Sequence, residues 1–389
     1  MRKPDLNFFH HVIKETGLDA TQLVLIDDTA ENICAARSLG IHGLLVDNQL
    51  AKVGGTLRNL LQDPLPRAEA YLKANAGNHH CVIEGSDDTI LKNNFSQLMI
   101  WDLTGDEDII YLKWPSETHY QAQDTKNPKT RNGDGVANGN GVMNGDRPAT
   151  IPELKKILWN YFYEDPILTT PVFPPDADTT STAYLSIPPQ YLSRVADVEL
   201  VLDAMAANTD EYEIMQTYFS EDRPRINPEV CCNILRVFHA FGHGSDPRKK
   251  KTEDWVISCL KNKASLHGNR HYTVPEAFLY FVARLYVKCD PHLRKELEPV
   301  RQALEERLNI PTNPLALAMR IYSCQLVGVD SHLYQKDLGT LKALQDADGG
   351  WPAGHFCCMG RTGARIGNRG LATALARKVL LPEKLREHF

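Results

Sequence analysis

The sequence predicts a mainly α fold in which a short α/β segment precedes a longer helical domain. Three observations carry this expectation. Beyond residue 151, apolar residues recur at i, i+3 and i+4 in nine helix-length stretches divided by Gly, Pro or Asp. Before residue 50, helical spacing alternates with short apolar runs, the signature of α/β units in a parallel sheet. Between 121 and 150, Asn-Gly units with Asp, Lys and Pro leave almost no apolar residue. The expected regions are 1–50, a connecting α/β segment at 51–120, a linker at 121–150 and a helical domain at 151–389.

Taken in order, 6–16 has helical spacing, 23–26 is a short buried-strand run ending at Asp27-Asp28, 30–39 is a helix stopped by Gly40, and 42–46 is a second strand. Residues 57–115 read as connecting helices and short strands, with Asp87-Asp88 as a turn. The linker is predicted to be disordered, because it cannot bury enough surface to offset its ordering entropy. Helices are then expected at 153–163, 188–208, 228–241, 252–261, 275–288, 291–308, 314–327, 333–345 and 370–379, with nothing strand-like between them. Pro188, Pro228, Pro275 and Pro314 fall near first helical turns, where a missing N–H costs nothing.

Length and composition narrow the function classes. A chain of 389 residues with 42% hydrophobic content has room for two domains or for one large domain with an appendage. With 43 basic and 49 acidic residues and a net charge of −6, no basic concentration suggests nucleic acid, and Arg248-Lys249-Lys250-Lys251 reads as a solvated turn. No run of 18 apolar residues exists to span a membrane, and the first residues lack the apolar core of a signal peptide. Nine cysteines without a Cys-x-x-Cys suit reduced thiols and a cytoplasmic location. His79-His80-Cys81 has no partner pair at ligand spacing and is not expected to hold a metal.

The chemistry concentrates at Asp176-Ala177-Asp178-Thr179-Thr180, where two carboxylates and two hydroxyls fall within five residues. A neighbouring carboxylate resists a second negative charge, so such a cluster can keep one carboxyl protonated as a Brønsted acid. A plain structural reading is a polar loop with Asp178 or Thr179 as helix N-cap. Two chemical readings remain: Asp-x-Asp-x-Thr resembles the phosphoryl-accepting motif of haloacid-dehalogenase-like (HAD) phosphatases, and Asp-x-Asp-Thr-Thr resembles the proton-donating motif of class II terpene cyclases. The phosphatase motif follows a buried strand, whereas Pro171, Pro174 and Pro175 interrupt the approach here. This favours the cyclase reading.

Further motifs extend the resemblance. Lys3-Pro4-Asp5, Leu25-Ile26-Asp27-Asp28-Thr29-Ala30-Glu31-Asn32 and Ala35-Ala36-Arg37-Ser38-Leu39-Gly40 resemble the third and fourth HAD motifs. There the Lys neutralises the phosphoryl group and the acidic pair holds Mg²⁺, which makes Asp27, Asp28 and Glu31 the implied metal residues. Asp-Asp-x-x-Glu at 27–31 also resembles a class I terpene-synthase metal motif. The nucleophile motif would lie upstream, where two residues stand, so no aspartyl-phosphate step is expected of this segment. Gln345-Asp346-Ala347-Asp348-Gly349-Gly350-Trp351 resembles the Gln-x₃-Gly-x-Trp motif at helix ends in α/α-barrel cyclase domains. In such a motif Gln bonds a freed helix-end group, Gly permits a tight turn and Trp covers the junction.

Together these features resemble the HAD-like drimane-type sesquiterpene synthases. The resemblance implies an α/α-barrel-like class II terpene cyclase domain behind a partial HAD-like α/β segment. It also implies proton-initiated cyclisation of farnesyl diphosphate, with Mg²⁺, to a bicyclic drimane-type diphosphate. A bifunctional cyclase/phosphatase releasing a drimane alcohol, or a HAD-type phosphatase, is the alternative. Asp178 takes the role of proton donor, and Asp176 with Thr179 or Thr180 would orient and acidify it. The Gly- and Arg-rich loop 360–370 offers Arg361, Arg365 and Arg369 to the diphosphate, with Arg270 as a further candidate. Cation-stabilising aromatic faces are sought among Tyr184, Phe238, Phe241, Tyr272, Phe278, Tyr280, Phe281 and Trp351. Asn233, on an apolar helix face, would hydrogen-bond in the pocket or take the final proton.

Overall fold

The structure is a computed structural model that describes residues 1–47, 50–115, 142–144, 147–149 and 157–386. Most of the 121–150 linker therefore lies outside the described residues, apart from a short antiparallel pairing of Val142–Asn144 with Arg147–Ala149.

The first unit follows its sequence pattern closely. Helix α1 (Leu6–Thr16) is capped by the Asp5 side chain and ends at Gly17 in the left-handed conformation, φ 65°. Strands β1 (Val24–Asp27) and β2 (His42–Leu45) pair in parallel, joined by helix α2 (Ala30–Ser38). Their small separate core holds Phe9, Ala36 and Ile41.

Helices α3 (Leu50–Leu61), α4 (Pro64–Ala74) and α5 (Asn94–Thr104) lead into the main body. Within the expected connecting segment, α4 and α5 join the principal hydrophobic core rather than bridging two others. That core is built by α6 (Ala177–Ser186), α7 (Val198–Ala207), α8 (Pro228–Ala240), α9 (Lys250–Lys261), α10 (Pro275–Lys288), α11 (Pro291–Leu297), α12 (Pro299–Glu305), α13 (Pro314–Val327), α14 (Gln335–Ala343) and α15 (Arg369–Leu380). Five of them pack with α5 as a ring: α5 on α6, α6 on α8, α8 on α10, α10 on α13, α13 on α15, and α15 back on α5. The others lie outside it, with α9 and α7 on α8, α11 and α12 on α10, α14 on α13 and α4 on α15. Pro228, Pro275 and Pro314 open ring helices as their first residue, where their fixed φ is already helical.

Four sequence expectations are corrected. The stretch 157–163 is irregular rather than helical, because its backbone serves distant partners: Tyr161 O accepts from Asn94 N at 2.7 Å and Trp159 O from Asp176 N at 3.2 Å. The run 188–208 divides into a 3₁₀ turn at Pro189–Arg194 and α7, and 291–308 divides into α11 and α12 where Pro299 starts a new helix. Strands do occur late in the chain. Strand β7 (His355–Cys358) and β8 (Arg365–Gly367) form an antiparallel sheet with β3 (Cys81–Ile83) and β4 (Ser86–Leu91) in the order β4-β3-β8-β7.

The Gln345-to-Trp351 motif is structural, as its chemistry suggested. Gln345 Nε2 donates to Pro64 O at 3.0 Å and Gly349 O at 2.8 Å, and the buried Trp351 ring donates to Leu341 O at 2.7 Å. Gly349 sits at φ +91°, and a Cβ there would meet Arg67 O at 2.3 Å, so no other residue fits the turn.

Candidate active site

Helix α6 begins at the acidic motif, and its cap decides how the two carboxylates face. Asp176, not Asp178 or Thr179, is the N-cap: Oδ1 accepts from Thr179 N at 2.6 Å and Oδ2 from the Thr179 hydroxyl at 3.0 Å. Asp178 is thereby placed in the first helical turn, where its side chain is free of capping. The helix start is pinned from outside, since Ala177 N donates to Thr217 O at 2.7 Å and Phe219 N to Pro175 O at 3.2 Å. The Thr180 hydroxyl accepts from Trp159 N at 3.0 Å, so it braces the backbone and makes no contact with either carboxylate.

Asp178 receives two donors from elsewhere in the ring. Asn233 Nδ2, on α8, donates to Oδ1 at 2.8 Å, and the Tyr272 phenol donates to Oδ2. Tyr272 is held by its loop: Thr273 N donates to Phe356 O at 3.0 Å and Cys358 N to His271 O at 2.8 Å, which stitch residues 271–273 to β7. Arg236, one turn along α8, donates through Nη1 to Asn233 Oδ1 at 2.8 Å.

Both carboxyls are almost fully buried, Asp176 at 4% and Asp178 at 7% exposure. Burial pushes Asp176 up to about 8, and the charge of Asp178 adds to it against the opposing Thr179 hydrogen bonds. Burial raises Asp178 to about 6, where the Tyr272 and Asn233 hydrogen bonds hold it back. Two acids are therefore poised near neutrality within one turn of helix.

They face a cavity of about 360 Å³, within the roughly 300–1,000 Å³ range of small-molecule sites. Phe95, Tyr161, Phe173, Tyr218 and Tyr272 present rings to it, together with Cys357 and Ile366 from the sheet. Of the aromatic residues expected to stabilise a cation, Tyr272 alone lines it. Tyr184 packs on Phe241 and donates to Ala196 O at 2.7 Å, while Phe238, Phe278, Tyr280, Phe281 and Trp351 are buried in the core away from the cavity lining.

The arginines divide by their partners. Arg365 lies against Glu84 at 3.3 Å, and Arg369 is bound by Asp346 and Asp348 while covering the Tyr71 ring at 4.9 Å. Both expected diphosphate ligands are thus neutralised outside the cavity. Arg361 and Arg270 do line it, and the structure adds Arg223 and Arg225, from a segment to which the sequence assigned neither element nor role. Among the described residues none of these four is within ion-pair distance of a carboxylate, and Asp222 is the only other acidic residue on the lining besides Asp176 and Asp178. Arg225 donates to His271 Nε2, and burial, reinforced by that guanidinium, pushes His271 down to about 4, so the ring is a neutral acceptor.

Asp27, Asp28 and Glu31 do not gather as a three-ligand group. Among the described residues no three His, Cys, Asp or Glu side chains converge as ligands. Asp27 is engaged by Lys3 and by Asn32 Nδ2 at 2.9 Å, which hold its carboxyl well below the usual range, while Asp28 and Glu31 are exposed. No described helix is long and apolar enough to cross a membrane.

A buried acid pair at the start of one ring helix thus faces an aromatic cavity lined by arginines, an arrangement able to donate a proton to an apolar ligand that carries an anionic group. Residues 65–241 match the family model described as the sesquiterpene cyclase astC-like C-terminal domain. The chain is 34% identical over 382 residues to drimenol cyclase drtB of Aspergillus calidoustus, covering 98% of itself and 62% of that relative's length. A shorter match, 43% identical over 51 residues, covers 13% of the chain and 26% of the sesquiterpene phosphatase astK of Aspergillus oryzae. Among solved structures, the type II terpene cyclase MstE from Scytonema is 12% identical with a TM-score of 0.47, over 84% of this chain and 98% of that one.

Proposed function

We propose that this chain is a class II sesquiterpene cyclase that converts farnesyl diphosphate to a bicyclic drimane-type diphosphate. The observation that carries the reading is the pair of buried carboxyls raised to about 8 and about 6 on one cavity wall, because protonating an alkene needs an acid kept neutral out of water. Asp178 delivers its proton to the terminal alkene. The alkene π pair forms the new C–H bond, each ring closure hands the positive charge to the next double bond, and the last tertiary cation loses a C–H proton to a base, that C–H pair becoming the alkene of the product. The Asp178 carboxylate left behind keeps both its donors, Tyr272 and Asn233. Tyr161, Phe173 and Tyr218 turn rings toward the same space, each able to stabilise a desolvated cation by about 2 kcal/mol. Arg223, Arg225, Arg270 and Arg361 would hold the diphosphate; among the described residues none of the four is within ion-pair distance of a carboxylate, with Asp222 the acidic neighbour of Arg223 on the lining. Mg²⁺ bound with that diphosphate would supply further neutralisation of its charge.

A second reading, release of the free drimane alcohol, is favoured by the short match to a sesquiterpene phosphatase and by the alcohol in the name of the longer relative. The test is incubation of the purified chain with farnesyl diphosphate and Mg²⁺, with products analysed by mass spectrometry before and after added phosphatase, alongside Asp178→Asn and Asp176→Asn. A bicyclic alcohol seen only after phosphatase and lost in Asp178→Asn supports the cyclase. The same alcohol without phosphatase assigns diphosphate removal to the chain as well. Farnesol or unchanged substrate in every sample rejects cyclisation of this substrate.

A further inference from the structure

We infer that Arg236 is a positioning residue that decides which oxygen of Asp178 carries the proton. The inference rests on Asp178 being the acid, and it follows from what each group in the chain Arg236–Asn233–Asp178 is able to donate. A guanidinium has five N–H donors and no acceptor, so the Asn233 atom facing Arg236 has to be the carbonyl oxygen. That fixes the amide: its NH₂ must turn to Asp178, as it does at 2.8 Å. A protonated Oδ1 would set O–H against N–H, donor against donor. Oδ1 is therefore the carbonyl oxygen of the neutral acid, and the transferable proton sits on Oδ2. There the Tyr272 phenol donates to the same oxygen, leaving Oδ2–H to the cavity and meeting the carboxylate as it forms.

The cost of Arg236 argues that it serves more than packing. It is 5% exposed on an apolar helix face, its Nε has no hydrogen-bond partner among the described residues, and its one hydrogen bond there is the one to Asn233. Beside it Arg284 pairs with Asp102 at 2.6 Å, and Asp102 acts on Arg236 through its charge, with no hydrogen bond between the two among the described residues. The amide it orients is itself fully buried, at 0% exposure, so no solvent competes for either end. A bare Asn could turn its carbonyl toward Asp178, drawing the proton to Oδ1 and out of the cavity. Arg236 forbids that arrangement.

The experiment compares Arg236→Lys, Arg236→Met and Asn233→Asp with wild type, using farnesyl diphosphate turnover against pH and infrared difference spectra of the acid's C=O stretch, assigned by its loss in Asp178→Asn. Lys remains a pure donor and is expected to stay within about fivefold of wild-type kcat, whereas Met frees the amide and lowers kcat by at least about tenfold. Asn233→Asp keeps a partner for Arg236 and therefore folds, but it turns an acceptor toward Asp178 and is expected to lower kcat by at least about 100-fold at similar KM. In Arg236→Met the basic limb of the pH profile moves up, because the carboxylate has lost a donor, and the C=O stretch moves to higher frequency. The titrating groups that face this chain are Asp176, Tyr218, Tyr272, Glu229 and Cys357 around Asp178, and Asp102, Cys232, Arg284 and Tyr280 around Arg236. An Arg236→Met enzyme with an unmoved pH limb and C=O band, or an active Asn233→Asp enzyme, overturns the inference. Wild type inactive on farnesyl diphosphate would reject the substrate reading alone, since the infrared band still reports where the proton sits.

Discussion

Replacing Tyr272 by Phe removes one hydroxyl from the site and tests how the acid is tuned. The phenol donates to Asp178 Oδ2 inside the protein, and that hydrogen bond works against burial, which raises the acid to about 6. A hydrogen bond to a charged group contributes about 1.5–3 kcal/mol. At about 1.36 kcal/mol per unit, its loss should raise Asp178 by about 1–2 units, to roughly 7–8. Catalysis needs the neutral acid, so activity is present below the pKa and is lost as pH rises through it. Tyr272→Phe should therefore move the basic limb of kcat/KM upward by one to two units, while the plateau falls about tenfold or more because the departing carboxylate is less well held. The assay is kcat/KM for farnesyl diphosphate between pH 5 and pH 9, with the bicyclic product quantified after dephosphorylation. A limb that stays in place or moves down would refute the assignment of Asp178 as an acid restrained by this phenol.

Other outcomes follow from the same geometry. Glu229 is fully buried and raised to about 8 by burial, so its contribution to stability is fully present below its unfolded pKa and is lost as pH rises to about 8; Glu229→Gln should melt progressively higher relative to wild type between about pH 5 and about pH 8, with the gap constant above that. Arg225→Gln and Arg361→Gln each remove a cavity guanidinium and should raise KM for farnesyl diphosphate about tenfold or more with smaller changes in kcat, whereas Arg365→Gln, paired with Glu84 outside the cavity, should leave KM unchanged in the same steady-state assay. Trp351→Ala empties a fully buried site and should cost about 3–5 kcal/mol in denaturant unfolding, with kcat per folded molecule retained, since the ring lies away from the cavity lining.

How far the sequence could be read follows from how local each feature is. Helices at 228–241, 275–288 and 314–327 were legible because each carries its own start signal in a first-turn proline and its own apolar face. Strands β7 and β8 were not, because three or four residues cannot display a period and their partner β3 lies far back in the chain. The stretch 157–163 misled for a related reason. Its Leu158, Trp159, Phe162 and Tyr163 are as buried as a helix face, yet they are buried from an irregular backbone whose hydrogen bonds go to α5 and to the start of α6. Burial alone does not distinguish the two.

The site divides along the same line. Its acid pair was legible because both carboxylates, and the Thr179 that donates to Asp176, are neighbours in the chain. What tunes the pair was not: Tyr272 is 94 positions from Asp178 and Asn233 is 55, and no local pattern ties them to it. The arginines make the point most sharply. The loop at 360–370 drew attention by its density of Gly and Arg, but Arg365 and Arg369 each find carboxylates, Glu84 and the pair Asp346 and Asp348. Arg223 and Arg225 sit in an unremarkable Glu-Asp-Arg-Pro-Arg turn and line the cavity without a carboxylate partner among the described residues. An anion site is defined by the charge left uncompensated after folding, which depends on where distant carboxylates come to rest, so a count of arginines along the chain measures the wrong quantity.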